Sequence, residues 1–174
     1  MFYINTLLNR PEKEINDLNT IKSNIEEYFV QVKDEKQLLS IGNSLDFDYL
    51  NGAIILKHLD EFLLNVDCWD LVDQLWAYIL NVTESLISTG EGETYFPDQP
   101  VKLKLKSISK DLVLYVLEAD YRTKVVLPKK DLIDILLSGA ADFFHAMEKT
   151  FKGKCNYQYE IQKISSLRDT LLDM

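Results

Sequence analysis

Val101, Leu103 and Leu105 alternate with Lys102, Lys104 and Lys106. This period of two suits a strand that is buried on one side and wetted on the other. The lysines also discourage pairing with foreign strands along an edge. Two more apolar segments follow at short intervals. Asp111 to Glu118 is apolar on both faces, as a central strand would be, and Arg122 to Leu127 supplies a third. Connections this short permit hairpins but not crossovers, so residues 101–127 predict a three-stranded antiparallel meander.

The rest of the chain mixes both periods. Apolar residues at Ile15, Leu18, Ile21, Ile25, Tyr28, Phe29 and Val32 fall three and four apart and predict a helix over 12–32, with Pro11 in its first turn. Asp34 to Ile41 reads either as more helix or as a loop before the break at Gly42, Asn43 and Ser44. Leu45 to Leu50 and Ala53 to Leu59 flank Asn51-Gly52, a dipeptide suited to a type I′ turn, and predict a hairpin. Asp60-Glu61 makes a further turn before a short strand, Phe62 to Val66.

Leu71, Val72, Leu75, Trp76, Ile79, Leu80, Leu86 and Ile87 predict a helix from Asp67 to about Ser88, capped by Asp67 and helped by the charge of Asp70. Thr89 to Pro100 reads as a loop. Beyond Pro128, Leu132 to Met147 forms a long amphipathic helix that stops near Lys152-Gly153, and Ile161 to Leu172 a last one. These elements compose one α+β domain over residues 1–174, an antiparallel sheet of hairpin plus meander with amphipathic helices on it. Its core is expected to join Trp76, Ile79 and Leu80 to Leu114, Val116, Ile133, Leu136 and Phe144.

Charge is unevenly distributed. The net charge of −9 comes from 28 acids and 19 bases, with 18 acids and 6 bases in residues 1–100 against 10 and 13 afterwards. Between Gln37 and Pro100 there are eleven carboxylates and a single cation, Lys57. Such a surface repels nucleic acid and anionic lipid and attracts basic proteins. The lysines at 102, 104 and 106, with Lys110 close by, have no aromatic residues interleaved and read as a solvated strand face rather than a nucleic-acid groove. Met1 to Leu8 lacks the basic start and cleavage site of a secretory signal, and the longest apolar runs reach about half a membrane span. Isolated Cys68 and Cys155 fit a reducing compartment. The expectation is a soluble cytoplasmic protein.

No residue pattern declares catalysis. His58 lies in an apolar strand and His145 beside Phe143 and Phe144, both better explained as structural than as bases. Cys68, near a helix start, reads as a small buried hydrophobe rather than a lowered-pKa thiol. Asp46 and Asp48, like Asp67, Asp70 and Asp73, lack the spaced oxygen ligands and glycine of a calcium loop. Glu91-Gly92-Glu93 is no phosphate cradle. Neither a cofactor nor a metal is expected. The most distinctive string is Thr94-Tyr95-Phe96-Pro97-Asp98-Gln99-Pro100, either a rigid exposed knob or a plug for the core.

The acidic balance, the Trp69 and Trp76 helix, the YFPDQP loop and the lysine-striped strand together resemble small bacterial immunity proteins of polymorphic toxin systems, over roughly Gly52 to Phe151. The resemblance implies a non-enzymatic protein that blocks a cognate toxin. On the charge argument, Asp60, Glu61, Asp70, Asp73, Glu91, Glu93 and Asp98 would form an acidic face for a basic partner, with Tyr95 and Phe96 as aromatic anchors. The alternatives are an adaptor or structural subunit, and a small hydrolase in which His58 or His145 faces a nucleophile in a pocket.

Overall fold

The computed structural model of the chain describes residues 1–173. Its class is α+β, as expected, but it has two antiparallel sheets rather than one. The first is built around β1 (Phe2–Asn9) and β3 (Asn51–His58), in the order β2-β1-β3-β4, with β2 at Phe29–Gln31 and β4 at Glu61–Leu64. A two-residue β5 (Asp70–Leu71) also pairs with β3. The second sheet is a meander of four strands, β6 (Glu91–Tyr95), β7 (Lys102–Ser107), β8 (Leu112–Glu118) and β9 (Arg122–Pro128).

The largest apolar cluster runs through the inner faces of both sheets. It includes buried side chains of α4 (Val72–Thr89), α5 (Lys129–Thr150) and α6 (Gln158–Leu172). Trp76, Ile79, Leu80, Ile133, Leu136 and Phe144 belong to it, as expected. Two polar contacts tie its layers together. Trp76 Nε1 donates to Thr6 Oγ1 at 3.1 Å, fixing α4 on β1. Tyr115 of β8 donates to the Leu63 carbonyl at 2.9 Å and so links the second sheet to β4 of the first.

Leu114 and Val116 do not join this cluster, although Val116 is buried. The β8 register sends Val113, Tyr115 and Leu117 inward and turns Leu114 and Val116 to the outer face. Because β8 is apolar on both sides, alternation alone does not say which set is interior. Tyr115, with its hydroxyl placed at a buried carbonyl, decides it.

The N-terminal third departs most from the expected helix. Residues 12–32 contain only α1 (Leu18–Ser23) and α2 (Ile25–Tyr28) before turning into β2. Asp17 caps α1 by accepting from Asn19 N, and Asn24, at φ −138°, interrupts the helical path. Phe29 and Val30 satisfy their backbone against β1, an overriding of local periodicity by sheet pairing. The ambiguous stretch 34–41 contains α3 (Glu35–Ile41), capped by Asp34. Met1 to Leu8, read only for targeting, contributes most of central strand β1.

Asn51-Gly52 is no turn. Both residues lie within β3, and the described residues with positive φ are Leu59, Gly90 and Gly153. The glycine is there for closeness instead. A Cβ at position 52 would collide with the Leu7 carbonyl oxygen and stand 2.9 Å from Val72 Cγ1. The hairpin of this region comes later, between β3 and β4. Likewise α4 begins at Val72, after a 3-10 turn at Val66–Cys68, so Asp67 does not cap it.

Thr89 to Pro100 is a strand in its first half. Gly90, at φ 86°, ends α4. Gly92 then lets the helix lie against β6, since a Cβ there would sit 2.5 Å from the Val82 carbonyl oxygen. Glycines chosen for close approach hide this strand from propensity.

Candidate partner-binding site

The seven carboxylates expected to form a single acidic face, and the two aromatic anchors expected with them, fall in separate places. Asp60 and Glu61 lie at the β3–β4 turn. Gly52, which pairs with Asp70, is at the other end of β3, about 20 Å away at 3.3 Å per residue. Asp70 is 1% exposed and so presents no surface charge. Its carboxylate instead accepts backbone N–H groups from Leu71 at 2.6 Å, Asp98 at 3.0 Å and Gln99 at 2.8 Å, pinning the Pro-rich loop. Phe96 is also buried, so the loop is partly a plug; Tyr95 and Asp98 remain exposed.

Asp73, half-buried at the start of α4, accepts a hydrogen bond from the Tyr157 hydroxyl at 3.2 Å. Burial pushes its carboxyl above the usual range, outweighing the bonds from Gln74 N and Tyr157 that favour the anion. A raised folded-state pKa means that the fold prefers the neutral acid. The contribution of Asp73 to stability is then most favourable at pH below the unfolded value of about 4 and is lost as pH rises through the folded one. Asp73→Asn should therefore melt at a higher temperature than wild type at pH 7, and the difference should vanish near pH 3. Thermal melts across that range check it.

Glu91, Glu93 and Tyr95 share the outer face of the second sheet with the lysine stripe. Glu93 lies 2.9 Å from Lys102 and 3.3 Å from Lys104, and Glu91 lies 3.6 Å from Lys106. Hydrogen bonds from Lys102 and Lys104 hold the Glu93 carboxyl below its usual range. Acids and lysines that looked like opposite surfaces in sequence are cross-strand partners.

The register completes this face. One row reads Tyr95, Lys102, Glu118, Arg122, the next Glu93, Lys104, Val116, Lys124, and the third Glu91, Lys106, Leu114, Val126. Five cations thus stand against three carboxylates around an apolar strip of Leu114, Val116 and Val126, with exposed Leu112 beyond it. Leu114 and Val116 belong to neither interior cluster, and a concavity of about 330 Å³ opens above them. From sequence, Leu114 and Val116 read as core, and Leu112, Arg122, Lys124 and Val126 were not read as part of a binding face. The alternation carried the signal, in register with the lysine stripe.

The histidines occupy other places. His58 stacks on Phe2, with ring centroids 4.5 Å apart. His145 borders an open groove of about 400 Å³ whose charged residues are paired, Lys33 with Asp142 and Lys149 with Glu35, each at 2.9 Å. Thr150 lines the same groove, and no hydrogen bond links it to His145 among the described residues. Cys68 is buried, and desolvation pushes its thiol up to about 11. Its sulfur is 3.8 Å from the Tyr121 hydroxyl, which donates to Asp67 at 3.4 Å beside the Lys22–Asp67 ion pair. No helix among the described residues is long and apolar enough to cross a membrane. No protein-family model, curated protein or solved structure matches the chain.

Proposed function

We propose that the chain is a non-catalytic protein-binding module of the toxin-neutralising kind, which receives its partner on the outer face of the four-stranded sheet. The observation that carries this reading is the strip of Leu114, Val116 and Val126, outside both interior clusters and framed by lysine and glutamate, in which Val126 is 48% exposed, Leu114 partly exposed and Val116 buried among its neighbours. A sheet face with a partly exposed apolar centre and a charged rim has the anatomy of a docking surface. Tyr95, 64% exposed at its corner, offers an aromatic anchor.

The two scales of charge have different roles. At long range the net charge of −9 draws in a basic partner, such as a toxin domain that acts on a polyanion. The face itself carries five cations against three carboxylates, so the surface seated on it must present acids to the lysines and Arg122. At contact, the mixed ladder of lysines and glutamates sets register and selects a surface with complementary charges. An adaptor or structural subunit would use the same face for another protein.

The test begins with the gene beside this one. If it encodes a secreted protein with a C-terminal toxin domain, that domain is expressed with and without the chain. Wild type should restore growth. A folded Leu112→Asp/Val126→Asp variant should bind the toxin domain at least about tenfold more weakly and fail to restore growth. Binding should also slow with rising salt, through the on-rate. Equal binding by the variant would remove the sheet face from the reading, and a toxin domain that does not bind wild type would remove the neutralising role.

A further inference from the structure

Strand β9 closes the four-stranded sheet on one side and has a neighbour only in β8. Backbone bonds at both ends of the β8–β9 hairpin show which of its groups are used. Ala119 N donates to the Tyr121 carbonyl and Lys129 N to the Asp111 carbonyl, each at 2.8 Å. The register between them is unbroken from Glu118 and Arg122 to Leu112 and Pro128, so Thr123, Val125 and Leu127 are the residues bonded to β8. The N–H and C=O groups of Arg122, Lys124 and Val126 point away from the sheet, and no hydrogen bond from another element reaches them among the described residues.

The other strand edges are less open. β9 is seven residues long, against three for β2 and four for β4, and β4 pairs through a register shift. β6 has five, with α4 against its Gly92. The side chains then say which strand fits β9. Arg122, Lys124 and Val126 are exposed on the outer face, and an antiparallel strand would set its own outer-face side chains directly beside them. Lys102, Lys104, Lys106 and Arg122 each lie no more than 3.6 Å from a carboxylate, whereas Lys124 has none among the described residues. Lysine on an edge guards it against indiscriminate pairing, and Pro128 ends the row of donors. That guard repels a basic strand and attracts an acidic one. A second copy adding its own β9 would gather four cations on one face. Its β6 is no better, since Glu91 and Glu93 already hold three lysines and two chains of −9 repel.

We propose that β9 receives an extended segment of the partner as a fifth strand, with acidic side chains opposite Arg122 and Lys124 and an apolar one opposite Val126. This rests on the reading of the outer face as the partner's seat, and it names the part of the partner that docks there.

Amide exchange of the isotope-labelled chain tests it, with two capped hexapeptides as probes: Thr-Val-Thr-Glu-Thr-Glu, and the same peptide with lysine for glutamate. At about 1 mM, the weak end of specific binding, the glutamate peptide should slow exchange at Lys124 and Val126 at least about twofold, the effect of half occupancy. The lysine peptide should leave both unchanged. Lys124→Glu should reverse this preference, which a misfolded variant would not do. Val126→Pro removes an outward N–H where an edge tolerates proline, and should weaken the glutamate peptide. Slowing by neither peptide, or by both alike, overturns the proposal. So does slowing of the same amides as the chain alone is concentrated, which would give the edge to a second copy. The peptides need no toxin domain, so this result is independent of the neutralising role. A toxin domain that binds Val126→Pro like wild type, but not Leu112→Asp/Val126→Asp, would keep the face and overturn the added strand.

Discussion

Trp76→Ala should lower the free energy of unfolding by about 3–5 kcal/mol, a fifth or more of what a small domain has in total. Trp76 is wholly buried, and it stands where α4, α5 and β1 meet. Its neighbours have little freedom to collapse into the space. Gly139 on α5 approaches so closely that a Cβ there would lie 2.8 Å from Trp76 Cη2 and 2.8 Å from Ile4 Cδ1. The indole also donates to Thr6 Oγ1, and Thr6 is buried, so truncation leaves that hydroxyl without its donor. Urea unfolding should show a lower midpoint at an unchanged slope. Trp76→Phe, which keeps most of the ring and loses only the N–H, should fall between the two. A Trp76→Ala variant within about 1 kcal/mol of wild type would mean that the three elements are not locked together at this residue.

The same residues explain which parts of the fold could be read from sequence. Helix α4 and strands β7 and β9 were legible because each keeps a regular period, β8 because its short run is apolar on both faces, and α5 because its apolar stripe runs almost its full length. Strands β1 and β6 were not. The first carries Asn5 and Thr6 among its buried residues, and the second has a glycine where α4 touches it. Asn51-Gly52 misled for a related reason. A glycine needed for backbone approach and one needed for positive φ look alike in one sequence, and only the distance from Gly52 to the Leu7 carbonyl tells them apart.

The acidic face failed on topology rather than on chemistry. Eleven carboxylates in one stretch of chain become neighbours only if that stretch folds onto one surface, and here it crosses both sheets. The lysine stripe was legible as an exposed face. Its carboxylate partners and its apolar strip were not, because they come from β6, β8 and β9 through pairings that local pattern does not specify.

Asp70→Ala is the second large loss to expect, about 3 kcal/mol or more, since hydrogen bonds to a charged group contribute about 1.5–3 kcal/mol each and a buried donor left alone costs its desolvation. One carboxylate holds the N–H groups of Leu71, Asp98 and Gln99, joining the entry to α4 with the loop after β6. Among the described residues, the backbone bonds that remain to the loop without it are local, Phe96 N to the Val101 carbonyl and Val101 N to the Gln99 carbonyl, each at 2.8 Å. Amide exchange at Asp98 and Gln99 should therefore quicken more than at Leu105 or Tyr115. Asp70→Asn should cost less, because its oxygen can still accept while its amide nitrogen must face a donor. The loop joins β6 to β7 and so positions Tyr95 and Lys102, at the corner of the proposed partner face. A folded Asp70→Asn variant should bind a partner on that face more weakly although residue 70 never touches it. Unchanged exchange at Asp98 and Gln99 in the alanine variant would show that the loop is held by something else, and would return Asp70 to the ordinary role of charge at a helix start.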